Sequence, residues 1–256
     1  MILGFLGTGR IASSVIEGIF KSKLKIKKIY ISSRNKTIAK KLNKRFKKVT
    51  ISRNNQQLID KSNWVFLAVT PRVGDKILKT LNFKKNQKVI SFISTINLAK
   101  LKKVIGKKVK IIRAIPLPPI SIRKGPIPIC PPDKQVKSFF NKLGTTIEIK
   151  NEKSSINFWA TSGMMAPFYE LLKVLADWLV KRGIKRNETQ KYITSLFVAL
   201  SEDSAINSKK DLKYLVKDSQ TPRGLNEQAV KKLRKAGFYR HLEKSLNGIL
   251  KRLNKV

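Results

Sequence analysis

A glycine-rich stretch near the start of the chain has the residue types and spacing that bind a pyrophosphate. It reads Gly7-Thr8-Gly9-Arg10-Ile11-Ala12, after an apolar run and before a stretch with helical apolar spacing. The first glycine permits a tight turn, the second removes a Cβ that would block the phosphates, and the alanine lets a helix pack on the strand. Backbone N–H groups at the helix start attract the anion. The stretch predicts a dinucleotide site; a plain strand-to-helix turn is the alternative.

The residues after the second predicted strand bear on which dinucleotide binds. A chain selecting NAD usually places a carboxylate about 20 positions beyond the glycines, where it accepts the ribose hydroxyls. Here the strand Lys28–Ile31 is followed by two serines, Arg34 and Asn35, with no carboxylate. Ser33 and Arg34 can hold a 2′-phosphate through charge-assisted hydrogen bonds. We therefore expect NADP(H) in preference to NAD(H); the alternative is that Arg34 is a solvated loop charge.

Alternating strands and helices must position these residues. Strand-like runs occur at residues 1–6, 28–31, 49–52, 64–69, 88–93, 109–114, 127–129 and 146–149, with helix-like stretches such as 37–46 and 58–61 between them. This alternation predicts an α/β fold with a doubly wound parallel sheet of the Rossmann type. Ligands bind such sheets at the carboxyl ends of the strands. The residues at the carboxyl ends of the predicted strands are Gly7, Ser33, Thr70-Pro71, Ser94 and Pro116.

The second half of the chain has long helical periods and no convincing strands. We expect a Rossmann domain over 1–150 and an all-α domain over 151–256, with Ser154 or Ser155 capping its first helix. Pro167 should break or kink that helix. We assign Trp159, Trp178 and Tyr192 to core or subunit interface. With about a hundred residues, the helical domain is expected to pair with a second copy.

Composition limits the classes of protein. The 256 residues carry a formal net charge of +41, from 56 basic and 15 acidic side chains. The lysines are scattered among many Ile and Asn residues, so we favour compositional bias over a nucleic-acid interface, which stays the alternative. A single cysteine, Cys130, excludes an intramolecular disulfide and fits a reducing, cytoplasmic compartment. We expect no membrane span, no metal site, and no nucleophile at Cys130.

Three motifs of the first half resemble the pyrroline-5-carboxylate reductase family. Besides the glycine stretch, Leu67-Ala68-Val69-Thr70-Pro71 is similar to the family's Ala-Val-Lys-Pro. The run 113–119, Arg-Ala-Ile-Pro-Leu-Pro-Pro, resembles the family's Arg-x-Met-Pro-Asn-Thr-Pro, with Leu117 in place of the Asn. Asn55 matches a family asparagine near the adenosine. The resemblance and the glycine stretch together assign the cofactor to Gly7, Thr8, Gly9, Arg10, Ile11, Ser33, Arg34, Asn55, Ala68, Thr70 and Pro71.

Two further motifs of this resemblance concern the substrate. Residues 162–167, Ser-Gly-Met-Met-Ala-Pro, stand where the family has Ser-Gly-Ser-Gly-Pro-Ala, and residues 221–226, Thr-Pro-Arg-Gly-Leu-Asn, stand in place of Ser-Pro-Gly-Gly-Thr-Thr. In the family the latter loop and helix start hold the substrate carboxylate. The resemblance implies substrate contacts from Ser162, Thr221, Arg223, Gly224 and Asn226. A helix cap with a turn proline is the alternative for this loop.

The resemblance implies NADPH-dependent reduction of 1-pyrroline-5-carboxylate to proline by a homodimer or higher homo-oligomer formed through the C-terminal helices. Reducing a cyclic imine needs a hydride at carbon and a proton at nitrogen, so orientation and exclusion of water suffice and no strong protein acid is required. No catalytic residue can be named; the one histidine, His241, is expected on a helix surface. The alternatives are a reductase of another imine or keto compound, and a non-catalytic protein that senses nucleotides or binds nucleic acid.

Overall fold

The computed structural model describes residues 1–254 of the chain. These divide into two compact units, Met1–Trp159 together with residues 253–254, and Ala160–Arg252. The first contains all the described strands and the second is helical. This confirms the predicted α/β Rossmann-like fold followed by an all-α region.

Eight strands form one sheet in the order β3-β2-β1-β4-β5-β6-β7-β8. Strands β1 to β6 are parallel, as predicted. The order reverses at β1 and β4, which leaves a crevice between their carboxyl ends. The strands are β1 Ile2–Leu6, β2 Lys28–Ile31, β3 Val49–Ile51, β4 Trp64–Leu67, β5 Lys88–Ser91, β6 Lys110–Ala114, β7 Pro126–Cys130 and β8 Thr145–Glu148.

Helices connect these strands and build the second unit. In the first unit they are α1 Arg10–Lys21, α2 Lys36–Arg45, α3 Asn55–Asp60, α4 Pro71–Ile77, α5 Leu98–Ile105 and α6 Lys134–Phe140. After α7 Glu152–Thr161, which crosses the boundary between the units, the helices are α8 Met165–Val180, α9 Arg186–Ile206, α10 Lys213–Asp218, α11 Leu225–Lys235 and α12 Phe238–Asn254.

Alternation along the strands explains why helices cover both faces of the sheet. Successive side chains of a strand point to opposite faces. Phe5 and Phe66 stack at 4.5 Å between ring centroids in one core, whereas Leu6 and Leu67 belong to a second core. β4, at the centre of the sheet, is therefore apolar and buried at every position, because helices cover both faces.

The last two strands depart from the parallel arrangement. β7 pairs antiparallel with β6, and β8 runs parallel to β7. The reason is the connection: a short 3₁₀ segment, Pro118–Ile122, replaces a crossover helix, so the chain returns beside the strand it has just left. Gly18 lets this segment lie against α1, since a Cβ there would stand 2.4 Å from the Ile120 carbonyl oxygen.

The start of the helical region corrects one expectation. α7 begins at Glu152, after Asn151, whose side chain accepts from the Lys153 N–H at 2.9 Å. Ser154 and Ser155 lie inside the helix, so neither is its cap. The predicted interruption does occur: a 3₁₀ segment, Ser162–Met164, separates α7 from α8, and Pro167 lies in the first turn of α8, where the missing N–H breaks no helical bond.

Aromatic residues of the helical region differ in burial. Trp159 is 6% exposed, whereas Trp178 and Tyr192 are 52% and 63% exposed. Trp159 is therefore a core residue, and the other two belong to a surface of the second unit. His241 lies on the exposed side of α12, with its Nδ1 2.8 Å from the Gly237 carbonyl oxygen.

A buried ion cluster ties β5, β6 and α6 together. The Lys88 ammonium lies 2.9 Å and the Lys110 ammonium 2.7 Å from the Asp133 carboxylate, which also caps α6 by accepting from the Val136 N–H. Burial alone would raise the pKa of Asp133, but hydrogen bonds from Lys110, Val136 and Lys88 lower it to about 2. The cluster holds the sheet edge remote from the glycine turn.

We predict that Asp133→Asn lowers the free energy of unfolding by about 3–5 kcal/mol, because Lys88 is left buried without its counter-charge. Chemical denaturation measures this loss. The matched control, Asp211→Asn, removes an exposed carboxylate paired with Lys213 and should cost less than about 1 kcal/mol. Equal effects of the two changes would contradict the role of the cluster.

The same pair of proteins tests the pH dependence. The folded-state pKa of Asp133, about 2, is below its ordinary value of 3.8, so its contribution is complete above that ordinary value and is lost as pH falls towards 2. The difference in unfolding free energy between wild type and Asp133→Asn should shrink across this window. A difference that is constant with pH would show that the carboxylate charge contributes nothing.

Candidate active site

The glycine turn after β1 is shaped by a close approach of three strand ends. Gly7 has φ +106°, a left-handed conformation that favours glycine. Its N–H donates to the Ser32 hydroxyl at 2.9 Å, and a Cβ on it would stand 2.4 Å from the Ala68 carbonyl oxygen. The turn is therefore locked between the ends of β2 and β4. The parallel register, Phe5 beside Ile31, puts Ser32 next to the turn.

The second glycine leaves space rather than filling it. Gly9 precedes α1 as its N-cap, and a Cβ built there meets nothing within 4 Å. The backbone N–H groups of the first turn of α1 are thus open to an anion at the positive end of the helix. Thr8 is 2% exposed, and its hydroxyl has no hydrogen-bond partner among the described residues. This open helix start fits the pyrophosphate of a dinucleotide.

A cleft of about 590 Å³ opens over this helix start. Its lining comes from three strand ends: Gly7, Thr8, Gly9, Arg34, Asn35, Lys36, Ala68, Val69 and Thr70. Six of the eleven predicted cofactor residues therefore line one cavity. The cleft is large enough for part of a dinucleotide, and its shape and donors fit that ligand.

The other predicted cofactor residues lie around the cleft without lining it. Arg10 and Ile11 begin α1, Pro71 begins α4, and Ser33 is exposed beyond β2. Asn55 is the first residue of α3, whereas its neighbour Asn54 caps that helix by accepting from the Gln57 N–H at 2.8 Å.

Two cations rim the cleft at the end of β2. Arg34 and Lys36 flank Asn35, whose side chain caps α2 by accepting from the Ile38 N–H at 3.1 Å. Neither cation has a carboxylate partner within residues 1–254. Lys36 is not among the cofactor residues that the sequence predicts. Because no carboxylate lines the cleft, its electrostatics suit a 2′-phosphate.

Arg113 is a buried arginine of β6, level with the carboxyl ends of the neighbouring parallel strands. Parallel pairing places Leu6, Leu67, Ser91 and Arg113 in one row, so Arg113 is level with the residues that precede the cleft. Burial lowers the pKa of its guanidinium, and the hydrogen bond and charge of Glu152 oppose that shift.

The guanidinium of Arg113 joins three segments. It contacts the Glu152 carboxylate and the Ser94 carbonyl oxygen, and lies 3.9 Å from the centroid of the Trp159 ring. Glu152 also accepts from the Leu98 N–H at 2.8 Å. Arg113 thus fixes the loop after β5. Close to it, burial raises the pKa of the Cys130 thiol, which keeps it protonated and a poor nucleophile.

The predicted substrate loop lies between α10 and α11 in the second unit. Arg223 has φ +61°, in the left-handed region. Its N–H donates to the Glu227 carboxylate at 2.7 Å, and Glu227 also pairs with Lys231 at 2.7 Å. These two contacts lower the pKa of Glu227. Arg223 therefore has a backbone conformation that glycine adopts more easily, at a position where the family that the sequence resembles has glycine.

Other residues of the loop support the start of α11. Gly224 is the N-cap of that helix, and a Cβ there would stand 2.1 Å from the Thr221 hydroxyl oxygen. The Asn226 amide donates to the Ser219 carbonyl oxygen at 2.8 Å, so one of its two donors is used within the loop. Ser162 lies elsewhere in the chain, in the segment Ser162–Met164.

Within the described residues, no group of three or more His, Cys, Asp or Glu side chains lies close enough to hold a metal ion. Across residues 1–254, no helix combines the length and apolar character needed to cross a bilayer.

Two family models match successive parts of the chain. Residues 2–97 match the family described as NADP oxidoreductase, coenzyme F420-dependent. Residues 154–256 match the pyrroline-5-carboxylate reductase dimerisation family. The chain belongs to the pyrroline-5-carboxylate reductase family. It is therefore a member of a family of NAD(P)-dependent oxidoreductases that act on C=N bonds.

Curated relatives agree with the family over nearly their whole length. The chain is 23% identical to the pyrroline-5-carboxylate reductase of Pseudomonas aeruginosa over 260 aligned positions, which cover 98% of this chain and 94% of the relative. It is also 23% identical to pyrroline-5-carboxylate reductase 2 of Bacillus subtilis, over 92% of this chain and 88% of that protein.

Solved structures of this family share the fold. The 1-pyrroline-5-carboxylate reductase of Streptococcus pyogenes superposes with a TM-score of 0.86 at 22% identity, covering 100% of this chain and 99% of that one. The Plasmodium falciparum pyrroline carboxylate reductase, with NADP bound, gives a TM-score of 0.84 at 22% identity, covering 99% and 97%.

We predict that Gly9→Val abolishes NADPH binding, because its side chain would occupy the open space at the start of α1. Fluorescence titration with NADPH measures the affinity, and Gly9→Ala should give a smaller loss. Since no protein atom stands near that Cβ, the melting temperature without cofactor should change little. Unchanged NADPH affinity in Gly9→Val would refute the pyrophosphate site.

We predict that Arg34→Asp reverses the cofactor choice, because a carboxylate repels a 2′-phosphate and accepts ribose hydroxyls. The measurement is the ratio of Kd values for NADPH and NADH. Lys40→Asp is the matched control, with the same charge change on the exposed middle of α2. If both variants keep the wild-type ratio, Arg34 is not a specificity residue.

Proposed function

We propose that the protein reduces 1-pyrroline-5-carboxylate to proline with NADPH. One observation carries this proposal: a single chain combines an open glycine turn with a region that matches the pyrroline-5-carboxylate reductase dimerisation family. The named relatives match nearly the full chain at 23% identity. NADP bound to the structurally similar Plasmodium falciparum enzyme supports the choice of dinucleotide.

The two parts of the chain have different proposed roles. We assign cofactor binding to residues 1–150, and dimerisation and substrate binding to 151–256, of which 255–256 lie outside the described residues. Exposed large apolar side chains on the second unit support a homodimer through its helices, because so many rarely stay exposed on a monomer. Examples are Phe168, Tyr169, Val174, Trp178, Tyr192 and Leu200.

Substrate anchoring is assigned to the loop before α11. The open N–H groups at the start of this helix attract a carboxylate, and Arg223 can add a bidentate pair. The Glu227 carboxylate holds the Arg223 backbone in position by accepting a hydrogen bond from the Arg223 N–H. Thr221, Gly224, Asn226 and Ser162 complete the proposed substrate set.

The chemistry requires orientation more than acid catalysis. A reduced nicotinamide, when bound, supplies the hydride that the imine carbon accepts. The imine nitrogen gains a proton, so that C=N becomes the CH–NH of proline. Solvent or a hydroxyl can deliver that proton. The residues of this chain bind the two molecules, orient them and exclude water.

A second candidate is a reductase of the same type acting on another imine or keto acid. It is favoured by Leu117, Leu225 and Asn226, which replace the family's Asn and two Thr residues, and by Arg223 in place of a glycine. Leucine removes a hydroxyl donor, and the Asn226 amide is partly engaged with Ser219. None of these four residues lines the cofactor cleft.

The deciding experiment follows NADPH absorbance with purified protein and pyrroline-5-carboxylate, beside NADH and a panel of cyclic imines and keto acids. Proline formation with NADPH supports the proposal. Turnover of only another imine or keto acid supports the second candidate. NADPH binding without oxidation of any panel member refutes both and favours a nucleotide sensor.

We predict that Arg223→Gly raises the KM for the carboxylate substrate at least about tenfold, because a charge-assisted pair is lost. The stability should not fall, since glycine relieves the positive φ by up to about 1 kcal/mol. Steady-state kinetics and melting curves measure the two effects. Arg240→Gly, an exposed arginine on α12, is the control. An unchanged KM in Arg223→Gly would exclude a substrate contact.

A further inference from the structure

Basic side chains are distributed unevenly between the two edges of the parallel sheet. Because β1 to β6 are parallel, the loops leaving β1 to β5 lie along one edge, which carries the cofactor cleft. We call it the exit edge; its loops are residues 7–9, 32–35, 52–54, 68–70 and 92–97. The loops leading into β2 to β6 lie along the opposite edge, the entry edge; they are residues 22–27, 46–48, 61–63, 81–87 and 106–109.

The entry edge carries ten lysines in 23 residues and no acidic residue. They are Lys23, Lys25, Lys27, Lys47, Lys48, Lys61, Lys84, Lys85, Lys107 and Lys108. The exit edge has two basic residues in 19, Arg34 and Arg53. Uniform compositional enrichment would load both edges alike. Sequence composition favoured bias as the source of the charge, but the topology concentrates lysines in the loops of the entry edge.

These ten lysines are exposed and not neutralised. All ten are exposed, and none forms an ion pair with a carboxylate in the described part of the chain. Lys48 donates to the Ile26 carbonyl oxygen at 3.0 Å and Lys84 to that of Asp60 at 2.8 Å. Lys61 lies 5.5 Å from the centroid of the Tyr30 ring. These contacts orient the ammonium groups without cancelling their charge.

Helix dipoles explain part of this pattern only. Cations are favoured in the last turn of a helix, and the effect fades beyond it. Lys84 and Lys85 come well after the 3₁₀ segment Leu78–Thr80, and Lys25 and Lys27 lie well past the end of α1. At these positions the dipole gives little stabilisation, while mutual repulsion of the lysines is unfavourable. A bound polyanion would remove that repulsion.

We propose that the entry edge binds the phosphate backbone of a nucleic acid. Six neighbouring strands spaced by about 4.8 Å give the edge a length of about 24 Å. Duplex DNA carries one charge per about 1.7 Å of its axis, so a repeated phosphate chain matches an extended row of cations better than a small anion does. This activity is separate from the reductase reaction, because the cofactor cleft lies on the exit edge.

Shape and polarity of the edge favour a nucleic acid over a membrane. A cleft of about 410 Å³ between the loops into β2 and β3 is lined by Arg45, Lys47 and Lys48, over the rings of Phe20 and Phe46, which stack at 4.2 Å between centroids. Cations beside aromatic rings suit single or double strands. No large apolar side chain of the five entry-edge loops is among the exposed ones, so these loops present no exposed apolar group to insert into lipid.

The test compares two variants of equal charge. The edge variant replaces one lysine in each of four entry loops, K25Q, K47Q, K85Q and K107Q. None of these four side chains has a hydrogen bond or ion pair with another of residues 1–254. The control variant, K181Q, K185Q, K209Q and K210Q, changes four exposed lysines of the second unit. Fluorescence anisotropy with the full-length protein measures binding to a 20-base DNA duplex, the matching single strand, an RNA duplex and inorganic polyphosphate, at several salt concentrations.

We expect the edge variant to lose roughly tenfold or more in nucleic-acid affinity, and its log K to fall less steeply with log salt, by about 0.9 for each duplex contact removed. The control variant should bind almost as wild type does. Equal losses in both variants would overturn the proposal, because the binding would then follow net charge. Stronger binding to polyphosphate than to every nucleic acid would also overturn it. So would co-sedimentation with phosphatidylserine vesicles when no nucleic acid binds.

Reductase activity gives an independent readout. NADPH oxidation should be unchanged in the edge variant, since its four lysines lie away from the cofactor cleft. Retained oxidation with lost nucleic-acid binding supports two separate surfaces. Loss of both, with a normal melting temperature, would contradict the separation of the two edges. If wild type binds nucleic acid but oxidises no NADPH, the proposed reductase function fails and this one stands.

Discussion

The close approach of the ends of β1, β2 and β4 around Gly7 is the constraint on which the site depends. The Gly7 N–H reaches the Ser32 hydroxyl, and its α-carbon faces the Ala68 carbonyl oxygen with no room for a Cβ. This contact sets the direction in which the chain enters α1, and so aims the open N–H groups of that helix into the cleft. The Arg34 and Thr70 segments line the same cleft because the sheet register brings their strand ends beside the turn.

A second constraint is the burial of charge within the first unit. Arg113 and Asp133 are both nearly inaccessible, and each is held by several partners. Removing one partner of such a group leaves a buried charge without compensation. Arg113 fixes the loop beside the cofactor edge, whereas the Asp133 cluster joins β5, β6 and α6 near the entry edge. Both ends of the sheet are therefore held by polar contacts around an otherwise apolar core.

The loop before α11 has a backbone conformation that suits the family's glycines, although its residue types differ from the family's. Arg223 adopts a left-handed conformation that glycine would adopt more easily, and Glu227 holds its N–H. Gly224 is kept where a Cβ would collide with Thr221. The helix start is thus preserved while the side chains around it differ from the family pattern. The sequence differences from the family therefore lie mainly among the residues assigned to the substrate, not among those assigned to the cofactor.

The sequence by itself determined the strands, the glycine turn and the change to helices, because apolar periodicity and glycine spacing are local properties. It also indicated Arg34, whose position follows from the end of β2. Only the tertiary structure decided that Ser32 holds Gly7, that Lys36 joins the cleft and that Asn151 rather than a serine precedes α7. It likewise decided the reversal of β7 and β8. These features depend on strand register and on connections between segments distant in sequence. The same holds for the concentration of ten loop lysines on the entry edge, which a count of charges along the chain does not reveal.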